Sequence, residues 1–360
     1  MVYHPGKKLV ILAEGCFGKK GSKTAIGVIR YGANPVAAVL DSSHAGQTVA
    51  DVLGIRPDIP IVSSLDEVES LLGTTADALV IGIAPRGGSL PAAWKDIIKD
   101  ALDRGMDVWN GLHLMMTEDP ELMEHAQRSG AVVWDVRKPQ PNLPVSSGHA
   151  RHVPAHVILA VGSDCSVGKM TDMLEVEKVA TQRGIRALFC PTGQTGIMIK
   201  GWGVPIDRVI SDFVAGGAEK LVLEAAEDND LILVEGQGSL FHAGYSGVTL
   251  GLMHGTMPDH LVLCYQVGRP TVGDGYGVNT PSLKEMIRVY ETMAAAVKPS
   301  PVIAIVVNTW GMSDEEARAE LKRAEAETGL PSDDVVRYGA DRILDAILEA
   351  GKTLSKPART

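Results

Sequence analysis

The chain has 360 residues, a formal net charge of −10, 45% hydrophobic residues and 22% charged residues. This composition is ordinary for a soluble globular protein, and the length allows two domains with separate cores. The acidic balance argues against a nucleic-acid partner, which usually needs a basic face. No apolar run approaches the roughly 18 to 20 residues that cross a bilayer, so we expect no membrane partner either.

The first part of the chain alternates strand and helix patterns. Apolar runs predict strands at residues 9–13, 36–40, 78–83, 107–109 and 131–134. Between them, residues 91–105 have the spacing of an amphipathic helix that ends at Gly105. Such alternation predicts a parallel sheet covered by helices on both faces, so residues 1–137 are expected to form a Rossmann-like domain. Glu14 stands where a signal-peptide cleavage site would lie, which predicts a cytoplasmic protein.

A proline-rich connector follows at residues 138–154, and the alternating pattern then restarts in residues 155–360. Strands are predicted at residues 157–161, 187–190, 231–234, 261–265, 302–307 and 335–337. Helices are predicted at about 168–183, 212–227, 281–297, 313–329 and 340–350. The glycine-rich residues 241–260 are expected to form a loop. The fold class is therefore α/β, with two doubly wound, mostly parallel sheets.

The sequence G-S-D-C-S-V-G-K-M-T at residues 162–171 predicts a phosphate-binding loop. Gly162 ends an apolar strand, five residues separate it from Gly168 and Lys169, and a helix pattern follows at once. Backbone N–H groups, the lysine and the positive helix N-terminus all favour an anionic ligand there. The predicted cofactor-binding residues are Gly162, Ser163, Cys165, Ser166, Val167, Gly168, Lys169, Met170, Thr171 and, after a later strand, Asn308.

The residue after the lysine departs from the usual nucleoside triphosphatase pattern. Ser or Thr normally stands there and binds Mg²⁺, whereas this chain has Met170, with a hydroxyl one residue later at Thr171. One residue along a helix is a rotation of about 100°. The loop therefore predicts phosphate binding more strongly than Mg²⁺-dependent cleavage of ATP.

The four cysteines form no C-x-x-C pair and have no nearby histidine at ligand spacing, so the sequence predicts a reduced compartment and no structural zinc. Cys165 lies inside the predicted loop. A packing role is favoured for it over a role as nucleophile, because a side chain in such a loop often points away from the ligand.

Further candidates follow predicted strands, where ligands of parallel sheets bind. Glu235 is expected to face the loop, weighed against a capping or solvated carboxylate, and Gln237 follows between two glycines that let another group approach closely. The histidines of the 241–260 segment are candidate proton acceptors, each weighed against a structural role. Arg86 is a possible partner for a carboxylate, weighed against domain packing.

Two families share these motifs. The loop, V-E-G-Q-G at 234–238 and V-N-T at 307–309 resemble the nucleotide-binding core of dethiobiotin synthetase. Over nearly the whole chain, the same motifs are similar to a two-domain bacterial family that includes the DgcN-type D-glutamate N-acetyltransferases. The additional shared motifs are P-T-G-Q-T-G at 191–196, I-R-Y-G at 29–32 and D-V-W-N-G-L-H at 107–113.

The second resemblance implies an amino-acid N-acetyltransferase that uses acetyl-CoA. We expect no metal in its site and, as the default for a cytoplasmic enzyme of this size, a closed homo-oligomer. The loop would then hold the pyrophosphate of the coenzyme, with Asn308 near the adenine. Glu235 is the first candidate for the base that deprotonates the amino group, and His254 is the second. Backbone amides of residues 236–238 or 191–196 would stabilise the oxyanion. The implied substrate-binding residues are Arg86, Gln194, Gln237 and Lys200.

Two other functions stay open on the sequence. An ATP-dependent ligase or kinase would use the same loop with Mg²⁺, with Asp164 and Glu235 as acids near the metal and Thr171 as the hydroxyl. A nucleotide sensor would bind its ligand without turnover. A requirement for Mg-ATP separates the first alternative from acetyl transfer, and tight binding without product identifies the second.

Overall fold

The computed structural model describes residues 3–18, 20–55, 59–83, 90–273 and 277–356. Contacts divide the chain into two compact units, formed by residues 1–138 with 194–205 and by residues 139–193 with 206–360. The segment 194–205 thus belongs to the first unit, although it lies beyond the predicted connector in sequence. Nothing in the described residues is a helix long and apolar enough to cross a membrane.

The first unit is a parallel sheet of six described strands in the order β3-β2-β1-β4-β5-β6. The strands are β1 Leu9–Leu12, β2 Val36–Leu40, β3 Ile61–Val62, β4 Ala78–Ile81, β5 Asp107–Asn110 and β6 Val133–Asp135. The helices before the connector are α1 Lys23–Tyr31, α2 Val49–Leu53, α3 Leu65–Leu72, α4 Ala92–Asp103 and α5 Pro120–Ser129. The two-residue strand β3 was missed because it is too short to show a pattern.

Alternation along β1 builds a core on each face of this sheet. Val10 and Leu12 join one apolar cluster, whereas Leu9 and Ile11 join the other. Successive side chains of a strand point to opposite faces, so a strand that is apolar throughout is buried on both sides. The predicted helix at 91–105 is confirmed as α4, whose inward side chains include Trp94.

The second unit has a parallel sheet in the order β14-β13-β10-β7-β9-β8 over its described residues, with a separate β11-β12 hairpin. Its strands are β7 His156–Gly162, β8 Ala187–Cys190, β9 Leu231–Val234, β10 His260–Gln266, β11 Thr271–Val272, β12 Val278–Asn279, β13 Val302–Asn308 and β14 Ser332–Asp333. Its helices are α6 Lys169–Gln182, α8 Ser211–Ala226, α9 Ser246–Thr256, α10 Leu283–Ala295, α11 Asp314–Thr328 and α12 Asp341–Gly351. The remaining helix, α7 Gln194–Lys200, belongs to the first unit.

The predicted α/β class, with two doubly wound sheets, is confirmed, and two local predictions are wrong. The last strand is β14 rather than residues 335–337, which form a turn after it. Much of the predicted 241–260 loop is helix α9. Its glycines permit close packing on α8, because a Cβ on Gly255 would lie 2.1 Å from the carbonyl oxygen of Ala215.

Two histidines, the partly buried His156 and the buried His260, lie at the amino ends of β7 and β10, the edge of the sheet opposite the glycine loop. His156 Nε2 and His260 Nδ1 are 2.8 Å apart, which is hydrogen-bonding distance. Asp259 beside them pairs with Lys298 and Lys356 at 2.7 and 2.6 Å. Burial lowers the pKa of His156 to about 4 and also lowers the pKa of His260.

We expect this pair to make the protein less stable in mild acid. Between pH 6.5, where the unfolded histidine titrates, and about pH 4, the unfolded chain binds a proton that folded His156 does not. The contribution of His156 is therefore complete above pH 6.5 and declines as the pH falls toward 4, by roughly 3 kcal/mol in all. Urea unfolding at pH 7.5, 6 and 5 measures this loss.

His156→Gln should flatten that pH dependence, whereas His152→Gln, at an exposed position, should leave it unchanged. An unaltered slope in His156→Gln would show that other groups cause the acid sensitivity.

Candidate active site

The glycine loop joins β7 to α6 in the arrangement that the sequence predicts. Gly162 permits a close approach, because a Cβ there would lie 3.1 Å from Lys169 Nζ. Gly168 has φ +131°, a backbone conformation that favours glycine, and helix α6 begins at the next residue. The loop therefore offers backbone amides and a helix N-terminus to an anion.

Lys169 is buried at the centre of the loop. Its Nζ donates hydrogen bonds to the carbonyl oxygens of Asp164 at 2.8 Å and Gly238 at 2.9 Å. Burial lowers the pKa of its ammonium group, and the nearby Cys165 is the largest influence in the opposite direction. Gly236 packs on the lysine stem, since a Cβ there would lie 2.9 Å from Lys169 Cδ. The turn after β9 thus forms one wall of the loop.

The other loop residues are fixed mainly through their carbonyl oxygens. The carbonyl of Ser163 accepts a hydrogen bond from Ser239 Oγ, and that of Val167 accepts one from Asn308 Nδ2 at 3.2 Å. Ser166 is exposed and has φ +56°. Met170 and Thr171 are both half-buried in the first turn of α6.

Glu235 lies at the carboxyl end of β9, beside the loop, and is 5% exposed. Its Oε2 accepts hydrogen bonds from the backbone amides of Thr192 at 2.9 Å and Gly193 at 3.0 Å. Gln237 Nε2 donates to Thr192 Oγ1 at 3.1 Å, so the P-T-G and V-E-G-Q-G motifs meet here. The amides of residues 192 and 193 are therefore occupied by Glu235, which corrects their expected role toward an oxyanion.

A second group of polar side chains lies across the loop. A carboxylate oxygen of Asp164, the sulfur of Cys165 and a ring nitrogen of His242 all lie within 4.8 Å of one another, close enough for a shared metal ion. Asp164 Oδ2 accepts hydrogen bonds from Gly273 N at 2.9 Å and Arg269 Nη1 at 3.3 Å. Asp164 and His242 are buried, whereas Cys165 is partly exposed.

The structure places the remaining predicted residues in different locations. Asn308 lies beside the loop, but its Nδ2 bonds Val167 and its Oδ1 accepts from Trp310 N. His254 Nε2 bonds the carbonyl oxygen of Met293 at 2.9 Å, on the α9–α10 contact rather than at Glu235. Gln194 and Lys200 lie on α7 in the first unit, and Arg86 lies outside the described residues.

Three residues near the loop were missed by the sequence predictions. Arg269 also donates to the carbonyl oxygens of Cys165 and Ser166, at 2.9 and 3.1 Å. Tyr290 Oη donates to the carbonyl oxygen of Gly162 at 2.7 Å. Asp172 lies beneath the loop, where burial raises its pKa to about 7. The glycine-rich segment that follows β10 could have identified Arg269 as a residue near the loop. No local sequence feature distinguished Tyr290 from the other residues of its amphipathic helix.

A cavity of about 360 Å³ opens at the carboxyl end of β10, next to this site. Arg269 belongs both to its wall and to the contacts of the loop. The opposite wall comes from α10 and α11 and includes Leu283, Met286 and Arg323. The cavity thus combines apolar and charged walls beside an anion-binding loop, as small-molecule sites often do.

A parallel sheet with a glycine loop and a buried lysine after its β7 strand defines a P-loop protein of the α/β class. Two family models match this chain. The model described as "Domain of unknown function (DUF1611_C) P-loop domain" matches residues 144–344, and the model described as "Domain of unknown function (DUF1611_N) Rossmann-like domain" matches residues 42–139. The chain therefore belongs to the DUF1611 family.

Two relatives carry an enzyme name. A D-glutamate N-acetyltransferase of Tritonibacter scottomollicae is 42% identical over 281 residues, covering 78% of this chain and 84% of that protein. One from Pseudoalteromonas sp. is 37% identical over 270 residues, covering 75% and 80%. A crystal structure of a DUF1611 family protein from Anabaena variabilis is 40% identical with a TM-score of 0.91, covering 96% of this chain and all of that one. These relatives place the protein among the acyltransferases.

Proposed function

We propose that this protein transfers the acetyl group of acetyl-CoA to the amino group of D-glutamate, as a first step in breaking down that amino acid. The relatives named D-glutamate N-acetyltransferase support the reaction. The observation that carries the proposal is that a buried P-loop lysine, Lys169 in the loop after β7, and a buried carboxylate, Glu235 directly after β9, follow two neighbouring strands of the sheet. The lysine can bind the phosphates of a coenzyme, and the carboxylate can accept a proton.

The phosphate loop has the task of holding the coenzyme. Its amides and Lys169 neutralise the pyrophosphate, at a helix N-terminus that favours negative charge. Met170 supplies no hydroxyl for Mg²⁺ at the position after the lysine, which suits a ligand that is held and not cleaved. The adjoining cavity would take the adenine end of the coenzyme, next to Asn308.

Glu235 has the task of accepting the proton. The amino group of glutamate is mostly protonated at neutral pH, and it must lose a proton before its nitrogen attacks the thioester carbonyl. Two backbone N–H groups, those of Thr192 and Gly193, hold Oε2 of Glu235 in place beside the loop. With the amides of residues 192 and 193 occupied, the turn at residues 236–238 is the proposed donor to the oxyanion.

Release of the coenzyme thiol from acetyl-CoA tests this proposal. The purified protein is assayed with D-glutamate, L-glutamate, glutarate or no addition, each with and without Mg-ATP. We expect thiol release with D-glutamate that is independent of ATP. Glutarate controls for the requirement of an amino group.

Other outcomes point to the other functions. Phosphate release from ATP without thiol release would contradict acetyl transfer and support the ligase or kinase, with Thr171, Asp164 and Glu235 near Mg²⁺. Tight binding of coenzyme or nucleotide without any product would support the sensor.

A further inference from the structure

Trp310 is an exposed tryptophan two residues after β13, at the edge of the sheet where the phosphate loop lies. It is 86% exposed, whereas the other four tryptophans, all in described residues, are buried or half-buried. Val336, in the turn after the neighbouring strand β14, is 50% exposed. Scattered exposed apolar side chains are ordinary, but these two lie on adjacent turns at the ligand-binding edge of a parallel sheet.

One buried carboxylate holds both turns in place. Asp334 Oδ2 accepts hydrogen bonds from Thr309 N at 3.0 Å and Thr309 Oγ1 at 2.6 Å, and Oδ1 accepts one from Val336 N at 3.1 Å. Arg337 Nη2 donates to two carbonyl oxygens of the 309–312 turn, at 3.4 and 2.8 Å. The backbone on either side of the exposed tryptophan is therefore fixed, which lowers the entropy cost of binding a ligand there.

Asn308 joins the Trp310 turn to the phosphate loop and to the cavity. Its Nδ2 donates to the carbonyl oxygen of Val167 in the loop, and its Oδ1 accepts from Trp310 N at 3.1 Å. Val267, in the cavity wall, donates from its backbone N–H to the carbonyl oxygen of Asn308 at 3.2 Å. Loop, cavity and turn thus meet at Asn308, whose amide bonds within the protein and positions the turn.

We propose that the indole of Trp310 stacks on the adenine of the coenzyme, with Val336 as a second apolar contact. The inference rests on the proposed function, which makes a coenzyme the ligand of the loop. Adenine is connected to the pyrophosphate through a single ribose, and it presents a flat face that an aromatic side chain can cover. Trp310 is then a residue that favours the whole coenzyme over phosphates that lack a base.

The size of the patch also favours a single ring as its occupant. Two exposed side chains beside an anion-binding loop can cover one face of a base. A protein partner of standard size contacts about 20–30 residues on each side. Continuity with the loop through Asn308 and Val167 supplies the connection that a nucleotide needs.

Calorimetric titration of the whole protein with coenzyme A, ADP and inorganic pyrophosphate tests the stacking. Trp310→Ala should raise the Kd of coenzyme A and of ADP by about tenfold and leave the Kd of pyrophosphate unchanged. Trp310→Phe keeps an aromatic face and should recover most of the affinity. Leu71→Ala is the matched control, because it removes a side chain that is 59% exposed on α3 of the first unit, and it should bind all three ligands normally.

Tryptophan fluorescence and kinetics give two further readouts. Coenzyme A should quench the emission of the exposed indole, and this quenching should disappear in Trp310→Phe. Trp310→Ala should raise the KM for acetyl-CoA more than it lowers kcat, because stacking on the adenine is the same before and during acetyl transfer.

The outcomes separate this inference from the proposed function. Unchanged affinity for coenzyme A and ADP in Trp310→Ala would overturn the stacking, while thiol release by the same variant would leave acetyl transfer in place. Weaker ADP binding in Trp310→Ala, by a protein that releases no thiol from acetyl-CoA, would support the adenine site and contradict acetyl transfer. A wild-type dimer that Trp310→Ala dissociates, with unchanged coenzyme affinity, would overturn the stacking and assign the patch to a second copy of the chain.

Discussion

Replacing Glu235 with glutamine is expected to lower kcat for acetyl transfer by about 10²–10⁴-fold, the usual contribution of a general base. The substitution keeps the size of the side chain, and the amide oxygen can still accept the hydrogen bonds that Oε2 receives from Thr192 and Gly193. The fold and the coenzyme affinity should therefore change little. Steady-state thiol release, together with the Kd of coenzyme A, measures both effects.

Glu224→Gln is the matched control, because that side chain is about half exposed on α8 and pairs only weakly with Lys220 at 3.6 Å. It should retain the full rate. If Glu235→Gln also retained the full rate, Glu235 would be a clamp for the 191–193 turn and not the base. Glu235→Ala would then lower the melting temperature, because two buried amides would lose their acceptor.

Replacing Lys169 with alanine is expected to raise the Kd of coenzyme A by roughly ten- to hundredfold. A hydrogen bond to a charged group contributes about 1.5–3 kcal/mol, and each 1.4 kcal/mol corresponds to about tenfold in affinity. Lys169 Nζ bonds the carbonyl oxygens of Asp164 and Gly238, and a phosphate would take these donors over. Calorimetric titration with coenzyme A measures the loss.

Two further variants make this result specific. Lys169→Met fills the space of the buried stem without the charge, so it should bind as poorly as Lys169→Ala while keeping a melting temperature nearer the wild type. Lys178→Ala removes a lysine from the same helix, where the side chain is 61% exposed, and should bind normally. Unchanged affinity in both Lys169 variants would show that the coenzyme phosphates lie elsewhere.

Local patterns in the sequence were sufficient to predict the fold and part of the candidate site. The β7 strand, the glycine loop and the lysine lie within fifteen residues, so their geometry follows from strand and helix periodicity and from two glycines. Glu235 was predicted beside the loop for a similar reason, because the carboxyl ends of parallel strands meet at one edge of the sheet. The position of Asn308 follows from the same rule.

Local patterns did not predict where the three histidines of the 241–260 segment lie. His242, His254 and His260 lie within nineteen residues of one another in sequence; each was a candidate proton acceptor, and His254 was the one named as the second choice after Glu235. The structure places His242 beside Asp164 and Cys165, ties His254 to Met293 on α10, and pairs His260 with His156 at the opposite edge of the sheet. Helix α9 carries His254 and lies between His242 and His260 along the chain, and its small residues had predicted a loop.

The sequence by itself determined two α/β domains and a phosphate loop, because these depend on patterns among neighbours along the chain. It also determined an acid beside the loop, because the carboxyl ends of parallel strands meet at one edge of a sheet. Tertiary structure alone decided which histidine reaches the loop, which amides Glu235 occupies and which unit holds residues 194–205. Those outcomes depend on how closely helices pack, as at Gly255 against α8, and such packing joins residues that no local pattern relates.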